Sequence, residues 1–324
     1  MPTPNLFAPA VKYDLHLRLA TIGPAGSGKS FTNLKILALM LGGTALESGG
    51  VMLARRANGL ARIAVIDTEY GSARKYADLF PSDIPGQACF DVVELQRNNV
   101  GAIDPADYMK AIAAARQYEY EGLDIDSGSH AWEGVLDIKN KKDLKGGDSF
   151  TNWNSITPIQ NTFIKEIISY PGHVAMSMRS KAEYVIEPNP NKPGKNKVTK
   201  VGTKPIQREG VDYEFDVVLL MADGGMATVD KTRCNELTDR DFVKPGVELA
   251  DVLKAWLASP VAAPMTRDEF IDAMNDLGVT DVGAFLAQNE LLSIGGADKY
   301  RAMLAKSREI VAAAASTAAL APTA

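Results

Sequence analysis

Gly23-Pro24-Ala25-Gly26-Ser27-Gly28-Lys29-Ser30 sets glycines, a lysine and a hydroxyl at the spacing that can hold a triphosphate. The run reads G-x-x-x-x-G-K-[ST], the phosphate-binding loop. Its glycines let successive backbone N–H groups turn inward around an anion, and the helix that follows adds the partial positive charge of its N-terminus. Lys29 is placed to contact the β- and γ-phosphates, and the Ser30 hydroxyl to ligate Mg²⁺. Phe31, next in the chain, completes the candidate nucleotide contacts. Two acids could supply the remaining chemistry. Asp126 ends an apolar strand and suits the acid that holds Mg²⁺ opposite Ser30. Glu69 ends a second strand and could orient or deprotonate the attacking water; Asp67 is the alternative for that role. Asp124, nearer the strand interior, is expected to face elsewhere.

These groups need a scaffold that brings them to one edge. Residues 17–22 read as a strand and 31–41 as a buried helix ending at Gly42-Gly43. Residues 43–61 read as a glycine-punctuated insertion. Strands follow at 62–67, 89–95 and 120–127, with a short helix to about Phe80 and an Ala-rich helix over 105–118. Beyond a basic loop at 139–147 come a helix over 152–170, a strand over 173–178 and a long polar stretch from Arg179 to Arg208. Strands at 213–221 and 226–233 are joined by the Asp223-Gly224-Gly225 turn, and residues 247–258 close the unit as a helix. Alternating strands and helices imply right-handed crossovers and a mainly parallel sheet. Ligands bind such sheets outside the carboxyl ends of the strands, where the loop, Glu69 and Asp126 all fall.

The domain reading is an arm at 1–14, an α/β core at 15–258, a Pro/Ala linker at 259–265, a small helical module at 266–315 opened by the Thr266-Arg267-Asp268-Glu269 capping box, and a disordered tail at 316–324. The chain has 324 residues, 46% apolar and 23% charged, with a net charge of -5, which excludes a generally basic nucleic-acid coat. Cys89 and Cys234 are too few for a disulfide framework and fit a reducing cytoplasm. No secretory leader or membrane span is read in the sequence.

The strings Asp67-Thr68-Glu69-Tyr70-Gly71-Ser72-Ala73, Asp126-Ser127-Gly128-Ser129-His130, Met178-Arg179-Ser180-Lys181 and Gln207-Arg208-Glu209-Gly210, taken with the loop, resemble the RecA-type recombinase ATPase core. More closely, residues 7–258 are similar to phage-borne, core-only RecA/RadA-like proteins of single-strand annealing recombination. The resemblance implies a RecA-like P-loop NTPase core using ATP and Mg²⁺, with Glu69 as the water-activating acid and Asp126 as the metal-side acid. Where RecA relatives end a strand in a γ-phosphate-sensing Gln, this chain has Met178-Arg179, so Arg179 or Lys181 is the candidate cationic sensor. Lys231-Thr232-Arg233 matches the Lys-x-Arg pair that relatives insert into the next subunit's nucleotide, which would make a homo-oligomer the active form; a solvated strand end is the other reading. Phe7-Ala8-Pro9-Ala10 matches the F-x-x-A tether between RadA-like subunits; an arm folded on its own core is the other reading.

In such cores the loops after the Asp126 and Met178 strands line the DNA path. Both equivalents are basic: residues 139–145 hold four Lys and one Asp, and residues 179–208 hold eight Lys/Arg and two Glu. Lysines at loose spacing suit sequence-independent phosphate contacts, a solvated loop being the other reading, and Trp132, Trp153 and Tyr184 flank them as candidate stacking platforms, with buried packing the alternative for Trp132 and Trp153. Single-stranded DNA is therefore the expected partner, with a single-strand-binding protein as a further candidate. A nucleotide-gated scaffold or loader without catalysis is the alternative. Asn140-Lys141-Lys142-Asp143 spells the guanine-reading N-K-x-D, but no strand precedes it and no D-x-x-G accompanies it, so the match is read as accidental. No acceptor pocket or Arg-rich lid supports a small-molecule kinase.

Overall fold

A computed structural model describes residues 10, 12, 15–146, 149–188, 196–258, 265–294 and 299–319, with side chains described outside 182–202 and 312–319. Residues 16–257 form one compact unit, and the C-terminal helices belong to a second.

The first unit is built on a sheet that, among the described residues, has nine strands. In chain order its elements are β1 (Arg18–Gly23), α1 (Lys29–Met40), β2 (Ile63–Asp67), a 3-10 segment at Ser72–Leu79, β3 (Phe90–Glu94), α2 (Pro105–Gln117), β4 (Gly122–Asp126), α3 (Gly128–Leu144), α4 (Ser149–Ile168), β5 (His173–Pro188), β6 (Asn196–Pro205), β7 (Val217–Met221), β8 (Met226–Thr232), β9 (Asp241–Val243) and α5 (Val247–Leu257). Residues 44–45 and 51–52 make a separate two-strand ribbon. The strand order is β9-β8-β7-β1-β5-β4-β2-β3, with β6 paired to β5. The pairings β7-β1-β5-β4-β2-β3 are parallel, and β8, β9 and β6 are antiparallel to their neighbours. This is the mixed α/β, mainly parallel architecture of a P-loop NTPase core.

Alternate side chains of each strand feed two cores. Leu17, Leu19, Leu34, Leu37, Leu249 and Leu253 pack on the face covered by α1 and α5. Ala20, Ile22, Tyr108, Ile112, Phe163 and Ile167 pack on the face covered by α2, α3 and α4. A parallel sheet buried on both sides places its strands as near-continuous apolar runs, as here. At the amino edge of the sheet, the buried Arg18 guanidinium donates to the carbonyls of Ile168 (2.8 Å) and Gly172 (2.7 Å), capping the end of α4 and the turn after it.

Two stretches differ from their sequence reading. Residues 139–144 are the last turns of α3, not a loop. Lys139 pairs with Asp143 (2.5 Å) and Lys141 with Asp137 (2.6 Å), both at i,i+4 spacing, so the charge run laces a helix instead of breaking one. The stretch after Arg179 is also not an irregular loop: β5 runs on to Pro188 and pairs with β6 as a hairpin. Residues 211–214 form a 3-10 turn, so β7 starts later than expected, at Val217.

The second unit contains α6 (Arg267–Asp276), α7 (Val282–Gln288) and α8 (Lys299–Ala319). Its core gathers Phe270, Met274, Leu286, Leu291, Met303 and Leu304. The capping box is formed: Glu269 N–H donates to the Thr266 hydroxyl (3.2 Å), and Thr266 N–H to the Glu269 carboxylate (2.8 Å). No helix among the described residues is long and apolar enough to cross a membrane.

Candidate active site

The loop 23–30 turns out of β1 at the carboxyl edge of the sheet. Gly28, which precedes α1, has φ 89°, a conformation that a side chain resists. A Cβ on Gly23 would stand 2.4 Å from the Met221 carbonyl oxygen, so the loop needs glycine to pass the end of β7. The Pro24 carbonyl accepts from the Ser27 hydroxyl (3.0 Å) and the Lys29 ammonium (2.6 Å). Lys29 is thus folded into the loop and buried. Burial lowers its pKa, the Asp126 and Glu69 carboxylates raise it, and the Arg179 guanidinium lowers it. Lys29, Asp126, Glu69 and Arg179 therefore share one electrostatic environment, although they come from four different elements.

Asp126 ends β4, separated from β1 only by β5. Its carboxylate accepts from the Ser177 hydroxyl at Oδ1, and the Ser30 hydroxyl lies beside it. Burial pushes its pKa up, reinforced by Glu69; Ser177, Ser30 and Lys29 pull it down. The other oxygen, Oδ2, is buried without a hydrogen-bond partner. A buried carboxylate oxygen left unmet is costly, and hard oxygen donors paired in this way suit Mg²⁺. Ser30 and Asp126 thus fit the metal expected of them. Asp124, two residues back on β4, faces α1 a turn beyond Ser30, where it accepts from the Asn33 amide (3.0 Å), whose oxygen accepts from the Thr21 hydroxyl (3.0 Å).

Geometry separates Glu69 from Asp67. Both Asp67 oxygens are taken by backbone donors, Glu69 N–H (2.6 Å) and Ala73 N–H (2.8 Å), so Asp67 anchors the turn after β2. Glu69 instead points into the site, where Arg179 Nη2 donates to both of its oxygens (2.9 and 2.8 Å) and Arg179 Nε to one of them (3.1 Å). Beneath the pair, His130 Nε2 stands 3.7 Å from Glu69 Oε1. His130 is fully buried, and burial with Arg97 and Arg179 lowers its pKa to about 3, so the imidazole is neutral. It contacts the Thr68 hydroxyl (2.7 Å) and Arg97 Nη2 (3.0 Å). His130, Arg97 and Thr68 were not singled out from the sequence; a histidine three residues after a strand-end Ser127 was the available signal.

Phe31 lies edge-on to Tyr76 (5.8 Å) and Phe80 (5.3 Å). It also borders a cavity of about 510 Å³ that opens beside the loop, walled by Gly26, Ser27, Gly28, Thr32 and Lys35, by Ser48 and Gly49, and by Gly224, Gly225, Lys244 and Pro245. It extends from the phosphate loop over the first turns of α1, room enough for a base and sugar. The distant wall residues carry no motif, so the sequence offered no sign of them beyond glycine pairs.

Lys231 and Arg233 are not brought to this edge. β8 runs antiparallel, so its end lies level with Val217 at the amino edge of the sheet. There Lys231 donates to the Tyr213 carbonyl (2.6 Å) and Arg233 pairs with Asp216 (2.9 Å). The N-K-x-D string lies inside α3, with Asp143 held by Lys139 and Asn152. Trp132 and Trp153 stack on each other at 6.0 Å. Phe7, Lys192 and Lys195, and the side chain of Tyr184, lie outside the described residues.

Compared with known families, residues 16–236 match a family described as an AAA domain. No curated protein matches the chain.

Proposed function

The chain belongs to the AAA-domain family, a P-loop ATPase-type domain, and from that premise we propose a RecA-like ATPase that uses ATP and Mg²⁺ and acts on single-stranded DNA in phage recombination or annealing. The observation that supports ATP hydrolysis is the meeting of Lys29, Glu69 and Asp126 from three elements at one sheet edge. In this reading Lys29 and the start of α1 hold the β- and γ-phosphates. Ser30 and Asp126 would hold Mg²⁺, whose charge would offset that of the phosphates. Glu69 takes a proton from the attacking water, the bond from the γ-phosphorus to its bridging oxygen breaks, and ADP and phosphate leave. The cavity beside Phe31 takes the base and sugar.

DNA is supported by Lys181, Lys204, Arg208 and Trp132, which line a cavity of about 500 Å³ at the base of the β5–β6 hairpin together with the acids Glu209, Asp212 and Asp230. The hairpin and the lysine-bearing end of α3, in place of the two loops first expected, are the elements assigned to the DNA path. Lys231 and Arg233 act in trans in this reading, reaching the nucleotide of a neighbouring copy, which makes the protein a homo-oligomer of the cytoplasm. The grip of Arg179 on Glu69 favours a second reading, a nucleotide-gated loader that binds ATP without turnover.

ATP turnover with and without single-stranded DNA, with Lys29→Ala as control, tests the proposal. Stimulation by DNA that Lys29→Ala abolishes is the expected result. Binding without turnover under both conditions favours the loader, and turnover indifferent to DNA removes the recombination assignment.

A further inference from the structure

The C-terminal helices lie outside the AAA domain at 16–236 and carry a feature that the ATPase chemistry does not use. Between α6, α7 and α8 runs a groove of about 340 Å³. Phe270, Leu286 and Met303, all buried, form its floor, and Leu292, 62% exposed, stands at its rim. We propose that this groove docks a partner protein, through a peptide segment in which a large apolar side chain lies next to carboxylates. Such docking does not depend on what the nucleotide site does.

Charge selects the kind of peptide. Residues 266–324 carry eight Asp/Glu against five Lys/Arg, yet among the described residues the ionic side chains that line the groove are Arg267 and Lys299. Two acids of the same helices are engaged elsewhere: Glu269 closes the capping box, and Asp281 accepts from Ala284 N–H (2.9 Å) at the start of α7. The Lys299 ammonium lies over the Tyr300 ring, 4.9 Å from its centroid, and that ring stacks on Phe270 (5.3 Å). The cation is therefore held beside the apolar floor. Cations flanking an apolar slot receive carboxylates through charge-assisted hydrogen bonds while the slot buries the neighbouring side chain. Nucleic acid needs a track of cations, and two in an otherwise acidic module do not make one.

Gly283, the second residue of α7, lines the same groove. Its φ is not positive, and a Cβ there, beyond its own helix backbone and chain neighbours, would meet only Asp281 Oδ1, at an ordinary 3.6 Å. Among the described residues neither conformation nor packing calls for glycine, which weakens a helix relative to alanine. What it does here is leave the groove wall bare, so that a docked side chain can approach the backbone.

The test is fluorescence anisotropy on the full chain with three dye-labelled twelve-residue peptides: three repeats of Asp-Asp-Leu-Phe, the same with Asn for every Asp, and the same with Ser for every Leu and Phe. Saturable binding of the first is expected, with each of the others about tenfold weaker or more. Gly283→Leu fills the groove while favouring the helix, and is expected to weaken the first peptide about tenfold; Gly283→Ala should leave it within about twofold. Arg267 and Lys299 are exposed, so reversing both charges leaves the fold standing. Arg267→Glu with Lys299→Glu is expected to weaken the acidic peptide about tenfold and the Asn peptide less than about twofold. Absence of saturable binding, equal binding of the acidic and Asn peptides, or binding untouched by Gly283→Leu overturns the proposal. Self-association of the parent chain that Gly283→Leu abolishes, read by sedimentation velocity, overturns it too, because the occupant would then be a second copy.

Discussion

Thr68, the residue after β2, and Asp126, which ends the neighbouring β4, are tied twice through one carbonyl. The Thr68 N–H and hydroxyl both donate to the Asp126 carbonyl oxygen, at 2.7 and 2.9 Å. The same hydroxyl accepts from Ser127 N–H (2.8 Å), and the single proton it owns leaves His130 to donate from Nδ1. This clasp sets the separation of the water-side and metal-side acids. Thr68→Val keeps the shape and removes the hydroxyl. It is expected to cost about 1–3 kcal/mol of stability by chemical denaturation and to lower turnover at saturating ATP, with Thr68→Ser restoring both.

Asp126 and Glu69 should fail differently. Glu69→Gln is expected to reduce turnover by about 10²–10⁴-fold, the range of a lost general base, without weakening nucleotide binding. Asp126→Asn should instead raise the Mg²⁺ concentration needed for half-maximal nucleotide binding. A Mg²⁺ titration in each variant separates the two.

The cavity beside Phe31 can be filled from its rim. Ser48 is exposed, so Ser48→Trp leaves the core untouched. ATP affinity is expected to fall about tenfold, or ~1.4 kcal/mol, with inorganic tripolyphosphate binding unchanged. Equal losses for both ligands would move the base elsewhere.

His173 offers a pH test away from the site. Its Nδ1 accepts from Leu17 N–H (2.9 Å), and burial, with His16 and Arg18, lowers its pKa to about 4. The unfolded chain takes up the proton near pH 6.5 while the folded chain refuses it until about 4. The contribution is therefore whole above pH 6.5 and is lost as pH falls through that window. His173→Asn, which keeps an acceptor for Leu17, should remove up to about 2 kcal/mol of the stability difference between pH 7 and pH 5, read from urea unfolding at both values.

Arg18 holds the amino edge together. With its guanidinium buried among the carbonyls of Ile168 and Gly172, Arg18→Met leaves those acceptors without donors. A loss of about 2–4 kcal/mol is expected, seen as a lowered Tm with nucleotide affinity retained once folded.

Much of this was legible in the sequence because the signals were local. The loop, the apolar strands and the strand-end acids all announce themselves within ten residues. The lysine run of 139–145 misled because its composition is that of a loop, whereas its i,i+4 acid partners are those of a helix. The choice between Glu69 and Asp67 turned on which carboxylate the turn consumes, and the answer lies in the Ala73 amide, six residues on. The Glu69–Arg179 pair was beyond reach: the residues are 110 positions apart, and only the sheet order brings them together.

β5 does not stop at Arg179. It continues to Pro188, nine residues further, which at about 3.3 Å each spans ~30 Å, with one shift of register against β6 between Glu183 and Tyr184. A bulge bends its strand and increases the local twist, so the outer half of the hairpin, from Tyr184 on, leaves the line set by the strand that carries Arg179.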